Sequence, residues 1–597
     1  GKSLRWRYNN TFTGVAYGVN VTAGSLVLHS GTIYVENAGA SGRKAVGILN
    51  NANTNVTING GKVEVYGHND SYGISQTSNK DNNTTFTMNA GEIAIEGYQN
   101  IYGITGNGKV NVNGGTIGAT ATYTNSRGIN LTATSSATPA DCYYGTLNMT
   151  GGTINSNCTS DVNGTRYAYG VMFGAANTAM GSATLATDKS HTEKAAAIGT
   201  ISNATINAST LGNQAYGIQA YGSYNSKTGT YDKIKINNST INATAKYYNA
   251  YGVYATGGVD ATNNVTPSGT TGAVYFANVE LTDCEVNATV NTYTTAYAVW
   301  ATTGSGTIYK DKQPNYYGEY AGGATVTINS GTYTATTGTT NAYAVGNSTR
   351  SKTIYDSETS VSAERKLGGN AEGYATLNIH GGTFRANAGK TTARAVSNGG
   401  NCTIDGGEFY ATTGESTAYG LYTISGKLKA TGIKVDVTAG TSTAYGIVVD
   451  VAGAPTGNQA WTGFTYAGDA ELNNLDVTVR TSTSTEARGV FVNSTTTTYT
   501  RTAFDNQKTA SNWPDDTYTI YNSVFPGDKA YASAGKVVVN GGKYTINAAT
   551  TTAYGVYLAQ TSVSANKSAI AAAEATIKNA TFDVSTNGTT YAFGIRS

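Results

Sequence analysis

Val537-Val538-Val539-Asn540-Gly541-Gly542-Lys543-Tyr544, followed closely by Ala553-Tyr554-Gly555-Val556, is the stretch of sequence that decides the fold. Its first part alternates apolar and polar residues around a Gly-Gly corner. Its second part, which we call the anchor, sets an aromatic residue and a glycine between apolar residues. Both parts recur along the chain, with corners at 56–63, 110–117 and 377–384 and anchors at 16–19, 215–218 and 418–421. The fold must therefore explain an internal repeat.

The spacing of the two parts defines this repeat. Gly542 of a corner and Gly555 of its anchor are 13 residues apart, whereas the return from the anchor at Gly489 to the corner at Gly542 takes 53. The shortest complete period, from Gly382 to Gly407, is 25 residues. Such a period, with short alternating strands and no helical pattern, is typical of a β-solenoid. The number of anchors and the crossover rule predict an all-β, single-stranded, right-handed parallel β-helix of about sixteen rungs.

The repeat predicts one continuous β-helix domain over residues 1–597. The large insertions fall in the return half of the repeat, and we therefore expect them along one side of the helix. They lie near 129–145, 172–198, 254–277, 300–322, 346–372, 449–469 and 491–535.

Alternation also predicts which side chains face the core. Around one corner, Val56, Ile58 and Val63 are expected to point inward, and Lys62 outward. The Gly or Asn at the corner supplies the left-handed backbone that a sharp bend requires. In the anchor, we interpret the glycine as a local bend that returns the next apolar residue, such as Ile447, to the core.

The aromatic position of the anchor is the candidate ligand-binding feature. Rung stacking places its members above one another, and we take as candidate site residues Tyr216, Tyr251, Tyr297, Tyr343, Tyr419 and Tyr445. Arg127, Arg394 and Arg488 replace tyrosine in this column. Because arginine is seldom buried without a partner, we expect the column to lie partly at the surface, with arginine stacked on tyrosine. The column is either a stacking ladder that fixes the register of the rungs or an aromatic strip for flat sugar faces or a partner protein.

The insertions carry further aromatic residues. Trp461, Trp513 and Tyr518 are candidate recognition residues, because loops on a rigid scaffold often carry binding. The alternative is that these loops shield the edge of the helix.

Four cysteines are too few for a disulfide scaffold. Cys142 and Cys158 lie beside one repeat unit, and a bridge between them would suit an exported protein. We therefore predict a Cys142–Cys158 disulfide, with two free thiols as the alternative. Cys284 and Cys402 are expected to be unpaired and buried.

Charge and motif content argue against several functions. The net charge of +2, without a basic stripe, gives no basis for binding nucleic acid. No apolar stretch is long enough to span a bilayer as a helix. The four histidines are too far apart for a metal site, and no cofactor motif or nucleophile elbow occurs, so we expect no metal and no cofactor.

Catalysis is the main alternative, because many β-helices process polysaccharides. Such an enzyme needs paired carboxylates on neighbouring rungs. The best pair is Asp405 and Glu408, which straddle the Gly406-Gly407 corner, with Arg385 and Arg394 in the neighbourhood. We expect these carboxylates to be solvated corner charges, and we assign no catalytic residue.

The repeat resembles a known family. An apolar-x-apolar-Asn-Gly-Gly-Thr segment followed by Thr-Ala-Tyr-Gly-Ile is similar to the right-handed β-helix passengers of bacterial autotransporters and related surface adhesins. The resemblance covers essentially the whole chain and carries no catalytic motif. It implies an extracellular or cell-surface location and a role in adhesion or aggregation, with a glycan or a host-surface molecule as ligand.

These observations predict a non-catalytic extracellular surface or fibre module with a structural or adhesive role. Neither terminal sequence resembles a polar cap, so we also expect either end-to-end self-association or continuation within a longer protein. A polysaccharide-processing β-helix lyase or hydrolase is the alternative function.

Overall fold

The computed structural model describes residues 3–7, 14–37, 42–81, 83–134, 136, 141–176, 192–193, 195–222, 224–225, 230–259, 273–303, 307–310, 323–348, 353–356, 375–424, 426–451, 467–483, 486–499, 529–562, 570–588 and 590–597. The regular elements of these residues are β-strands joined mainly by parallel pairing, which confirms the predicted parallel β-helix. The chain divides into unit 1 (Gly1–Val259, Gly272–Gly304 and Gly322–Ala344) and unit 2 (Asp260–Thr271, Ser305–Ala321 and Val345–Ser597). The single continuous domain stays a prediction.

Each rung has three strands, and strands of one kind form a face. Face A precedes the corner, face B follows it, and face C holds the anchor. In unit 1 the strands of face A are Ser25–Leu28, Asn55–Ile58, Thr85–Met88, Lys109–Val112, Thr146–Met149, Ile198–Ser202, Ile234–Asn237, Ala277–Thr282 and Ala324–Ile328. Those of face B are Ser3–Arg7, Thr32–Asn37, Lys62–Gly67, Glu92–Gly97, Thr116–Ala121, Thr153–Cys158, Thr205–Thr210, Thr240–Ala245, Cys284–Val290 and Gly331–Thr337. Those of face C are Val15–Val21, Lys44–Asn50, Ser71–Gln76, Ile101–Gly106, Asn125–Leu131, Tyr167–Phe173, Gln214–Ala220, Ala250–Val259 and Thr295–Thr303.

Unit 2 repeats this arrangement. Two long strands, Asp469–Thr481 and Lys536–Ala548, run through the corner and serve both face A and face B. The other strands of face A are Thr376–Ile379, Asn401–Ile404, Lys427–Thr431 and Glu574–Lys578, and those of face B are Thr383–Ala388, Glu408–Thr413, Lys434–Ala439 and Thr581–Thr586. The strands of face C are Ala393–Gly399, Ala418–Thr423, Ala444–Val449, Glu486–Val492, Thr552–Leu558 and Ala592–Arg596. With Asn341–Ser348, whose residues fall in both units, the described residues contain sixteen face C strands, the predicted number of rungs.

The insertions add short strands beside the rungs. They lie between a face C strand and the next face A strand, as the sequence predicts. Antiparallel pairs join Ala133–Thr134 with Tyr143–Tyr144, Tyr224–Asn225 with Thr230–Tyr231, Ser494–Tyr499 with Lys529–Ala534, and Gln560–Ser562 with Ile570–Ala572. Parallel pairs join Thr192–Glu193 with Ala273–Tyr275, and Thr307–Lys310 with Thr353–Asp356.

Identical positions stack from rung to rung and form the core. On face B, Ile33 opposes Val63 and Val63 opposes Ile93, and all three side chains are buried. Lys62 lies at an outward position with only intermediate burial. The alternation that the sequence predicts is therefore confirmed, and the hydrophobic effect acts along continuous apolar columns.

Left-handed backbone marks the corner between faces A and B. Gly61, Gly115, Gly382 and Gly542 have φ angles of 83°, 87°, 115° and 101°, and Asn203 has 52°. These are angles that glycine adopts without strain and asparagine tolerates. The predicted role of the corner residues is confirmed.

Close packing explains why the anchor contains a glycine, which the alternation of apolar and polar residues does not reveal. The strand pattern shifts there, because the glycine and the next apolar residue are both buried, as predicted for Ile447. In addition, a Cβ on Gly217 would lie 2.4 Å from Cγ2 of Ile241 and 2.5 Å from the carbonyl oxygen of Gly252. Ala395 takes the place of this glycine in another rung. There, the face B residue of the next rung that corresponds to Ile241 is Phe409, which has no branch at Cβ. Face C therefore packs so closely on face B that a β-branched neighbour leaves room for glycine only.

Candidate functional site

Face C of unit 1 carries the predicted aromatic column. Tyr169 opposes Tyr216, Tyr216 opposes Tyr251, and Tyr251 opposes Tyr297 in the strand registers. The ring centroids of these pairs are 5.0, 5.0 and 4.8 Å apart, and the ring planes are inclined by 6°, 9° and 4°. Tyr343 meets Tyr297 edge to face, at 5.3 Å and 70°. The stacking of these tyrosines is confirmed.

The stack covers the faces of its inner rings. Tyr216 is only 9% exposed, and Tyr251 likewise has a ring on each side. Burial, and then the neighbouring Tyr251 and Tyr169, raise the pKa of Tyr216 far above its ordinary value. The Tyr216 hydroxyl donates to Gln214, and the Tyr251 hydroxyl accepts a hydrogen bond of 3.0 Å from Asn249. A flat sugar ring cannot lie on ring faces that are already covered, so a ligand of this column would meet ring edges.

A second aromatic column lies beside the first and was missed in the sequence. Tyr254 and Trp300 oppose each other three residues after Tyr251 and Tyr297. The Tyr254 ring lies 4.8 Å from Tyr251, and the Trp300 ring lies 4.6 Å from Tyr297 and 6.2 Å from Tyr343. The signal was present, because Tyr254 and Trp300 follow the same anchor position, Gly252 in one rung and Ala298 in the next, by two residues. Tyr254 and Trp300 lie at the start of the variable half of the repeat, within the segments near 254–277 and 300–322 that were assigned to insertions.

A polar ladder flanks the column two residues before the aromatic position. Nζ of Lys44 lies 3.0 Å from Asp70, Asn100 donates to Asp70 at 2.9 Å, and Asn125 donates to Asn100 at 2.9 Å. The backbone amide of Tyr167 donates to Asn125 at 3.2 Å. Burial acts to raise the pKa of Asp70, but the hydrogen bonds from Asn100 and Lys44 prevail and lower it. These polar groups therefore bond to the neighbouring rungs.

In unit 2, arginine occupies the column as predicted. The guanidinium of Arg488 forms an ion pair with Glu486. Its central carbon lies 5.2, 5.6, 4.9 and 4.6 Å from four ring centroids, those of Tyr445, Tyr554, Phe491 and Tyr557. The first two rings belong to the aromatic column and the other two to the second column. A cation over aromatic faces is attracted by the ring quadrupole, so this charge binds adjacent rungs together.

The other two arginines stack in the same way. Arg394 lies 5.2 Å from the ring centroid of Tyr419 and 3.7 Å from that of Tyr422. Tyr419 stacks in turn on Tyr445 at 5.0 Å and 9°. In unit 1, the guanidinium of Arg127 lies 4.9 and 5.1 Å from two column rings, those of Tyr102 and Tyr169. The predicted stacking of arginine on tyrosine is confirmed. The prediction that the column is only partly exposed is also confirmed.

The candidate carboxylates bind different side chains. Nδ1 of His380 lies 2.9 Å from Oδ1 of Asp405, and the hydroxyl of Tyr410 donates to Glu408. The guanidinium of Arg385 lies 4.3 Å from the ring centroid of Tyr410. His380 was missed as a partner of Asp405, although the two residues are 25 positions apart, one shortest period. Arg394 lies on face C, where it stacks on tyrosine.

The disulfide predicted between Cys142 and Cys158 is not formed. Both are buried free thiols, as are Cys284 and Cys402, for which this was predicted. Cys142 precedes the face A strand and contacts Ser136, whereas Cys158 ends the following face B strand and donates to the carbonyl of Thr124 at 3.0 Å. Two strands and a corner of one rung therefore lie between the two thiols. Sequence proximity did not reveal this separation.

The remaining candidates from the sequence are the aromatic residues of the insertions, a metal site and a membrane span. Trp461, Trp513 and Tyr518 lie outside the described residues. Within the described ranges, no group of three or more His, Cys, Asp or Glu side chains is placed to hold a metal ion. The same part of the chain contains no helix with the length and apolar character needed to cross a membrane.

The geometry of the described residues defines the class of protein as a parallel β-helix with aromatic and arginine ladders on face C. Comparison of the chain with protein families, with curated proteins and with solved structures finds no match in any of the three.

Proposed function

We propose that this chain is a non-catalytic extracellular surface or fibre module with a structural or adhesive role. The observation that carries the proposal is the enclosure of Arg488 by four aromatic rings and the carboxylate of Glu486. Binding and catalytic sites direct polar groups toward a ligand. On face C, by contrast, the aromatic and charged side chains are used to join one rung to the next.

The finer parts of the proposal rest on the sequence. The repeat style resembles autotransporter passengers and related adhesins, and this supports a cell-surface location and a glycan or host-surface ligand. The insertions add strands beside face C and face A, where loops on a rigid scaffold can carry recognition. A ligand of the ladder itself would contact ring edges, which suits a protein surface better than a stacked sugar.

A polysaccharide-processing enzyme is the alternative, and one observation favours it. Asp405 is hydrogen-bonded to His380, an arrangement that can hold and move a proton. The pair is about half exposed and lies on neighbouring rungs of one corner.

The test compares the turnover of polysaccharides with binding to glycans and surface proteins. The full chain is incubated with neutral and acidic polysaccharides, and new reducing ends and unsaturated products are measured; binding to immobilised glycans and surface proteins is measured in parallel. We expect no turnover. Depolymerisation that Asp405→Asn abolishes, and that the matched face B variant Asp436→Asn leaves unchanged, would contradict the proposal and establish the enzyme.

A further inference from the structure

Unit 1 carries an exposed hydrophobic ridge at the turn between face B and face C. Outside residues 3–28, the exposed large hydrophobic side chains among the described residues of unit 1 all lie at this turn, one in each of six consecutive rungs. They are Tyr98, Tyr123, Val162, Leu211, Tyr248 and Tyr293, which we call the ridge residues. Tyr293 is 60% exposed and Val162 53%. Exposed hydrophobic side chains that recur at the same turn of successive rungs point to an interaction surface.

The ridge has an ordered backbone. Main-chain hydrogen bonds connect successive turns in the same direction as the strands, through Thr124 to Tyr98, Thr159 to Ala121, Leu211 to Cys158, Tyr248 to Asn213 and Thr292 to Lys246. The rings of Tyr98 and Tyr123 also stack, with centroids 4.6 Å apart and planes inclined by 2°. The ridge is therefore already ordered, and binding would cost little additional conformational entropy.

The exposed charges of these turns, Lys246 and Asp161, are paired with each other. Lys246 forms an ion pair of 2.6 Å with Asp161, and the Tyr247 hydroxyl donates to the same carboxylate at 2.9 Å. The guanidinium of Arg166 is buried, lies 4.5 Å from the ring centroid of Tyr123 and donates to Ser160. A partner therefore meets one exposed ion pair that is already formed, and an arginine that is buried. The two aliphatic residues in the middle of the ridge cannot bond sugar hydroxyl groups, so they favour a protein partner over a glycan.

The order of the ridge residues identifies one protein partner. Along six rungs the sequence of side chains is Tyr, Tyr, Val, Leu, Tyr, Tyr, which has the same chemistry in both directions. A second copy turned by 180° would place Val162 against Leu211, and tyrosine against tyrosine on either side. Two identical ridges also share one rung spacing, so their contacts stay matched over the five steps of about 4.8 Å between the first and last rung. A two-fold interface requires self-complementarity of this kind.

We propose that unit 1 associates side by side with a second copy of this chain, antiparallel, about a two-fold axis between the levels of Val162 and Leu211. The partner surface is the same ridge. The ridge is narrow, and interfaces that bury less than about 1,200 Å² in total are generally weak. The association is therefore reversible and concentration-dependent, and it is favoured where copies are crowded together. It is independent of the role of face C.

The test uses the full chain in sedimentation velocity over a range of concentrations. The variants are Val162→Asp and Leu211→Lys, each alone and then mixed in equal amounts. In the mixed dimer, the introduced aspartate of one copy faces the introduced lysine of the other, while the second contact keeps the natural pair. Val27→Asp is the matched control, because Val27 is a similarly exposed valine outside the ridge. Circular dichroism establishes that each variant is folded.

We expect the natural chain and Val27→Asp to dimerise with increasing concentration. For each ridge variant alone, we expect the dissociation constant of the dimer to be at least tenfold higher than that of the natural chain. We expect the equal mixture of the two variants to form the dimer again. A natural chain that stays monomeric at every concentration would overturn the proposal and would indicate that the ridge binds a different protein. Ridge variants that remain dissociated after mixing would overturn the antiparallel pairing, and a Val27→Asp variant that dissociates equally would show that the ridge is not the interface.

Discussion

The guanidinium carbon of Arg488 lies 4.6 Å from the ring centroid of Tyr557, which occupies the second column one rung further along. The same guanidinium contacts Tyr445 in the preceding rung. One cation therefore joins three successive rungs on the outside of face C, where the hydrophobic core contributes nothing. A slip of one residue in either neighbouring strand would remove these contacts, so the arginine also specifies the register.

Replacement of Arg488 by alanine should destabilise its rung. A partly desolvated cation–π contact contributes about 2 kcal/mol, so we expect a loss of that order in the opening free energy of strand Glu486–Val492, measured by hydrogen exchange. Arg480→Ala is the matched control, because Arg480 forms an exposed ion pair with Asp436, and such pairs contribute less than about 1 kcal/mol. Equal losses in the two variants would show that the aromatic enclosure adds nothing.

Alanine at an anchor glycine should be tolerated where no atom lies close to the new Cβ, but not where a β-branched residue of the next rung covers it. For Gly217→Ala we expect a destabilisation of about 1–3 kcal/mol, because the new Cβ would overlap Ile241 and the backbone of Gly252. Gly594→Ala tests the same position of the repeat with no atom within 4 Å of the new Cβ, and it should be nearly neutral. Thermal and urea unfolding measure both. A neutral Gly217→Ala would contradict the close packing of face C on face B.

The buried tyrosines make stability depend on alkaline pH. Burial raises the pKa of Tyr169 from 10.0 to about 12. The protonated form is thus favoured in the folded state, so its contribution is complete below pH 10 and is lost as the pH rises toward 12. Unfolding free energy measured between pH 9 and 12 should fall more steeply in the natural chain than in Tyr169→Phe. Identical slopes would show that Tyr169 does not titrate with a raised pKa.

The four thiols should all be free. Alkylation of the denatured chain without reductant should label Cys142, Cys158, Cys284 and Cys402. In the native chain, labelling of Cys158 should be slow, because burial raises the pKa of its thiol and the thiolate is the reactive form. A peptide that joins Cys142 to Cys158 through a disulfide would contradict the structure.

The sequence predicted the features that depend on short-range chemistry. Alternation identified Val56 and Ile58 as core residues, and corner spacing identified the left-handed residues such as Gly61, because strand period and backbone sterics act within a few residues. Arginine in an aromatic column predicted the stacking of Arg488, because an arginine enclosed among apolar residues needs a partner.

Features that depend on contacts between rungs were harder to predict from the sequence. Tyr254 and Trp300 form a column only when their strands are aligned past an insertion, and His380 meets Asp405 only one rung later. The predicted Cys142–Cys158 disulfide was wrong, because closeness along the chain does not measure the path around a rung. The ridge was missed for the same reason: each of its residues is an ordinary turn residue until six turns are stacked.

The central claim is that rungs distant in sequence stack in parallel and in register, and a cysteine pair tests it most directly. Thr205 opposes Thr240 across two adjacent rungs of face B. Their Cα atoms are therefore about 4.8 Å apart, within the range of about 4.4–6.8 Å that a disulfide spans. Thr205→Cys with Thr240→Cys should form a disulfide on mild oxidation, identified by peptide mass, whereas Thr205→Cys with Thr244→Cys should not. A bridge in the offset pair but not in the opposed pair would contradict the account.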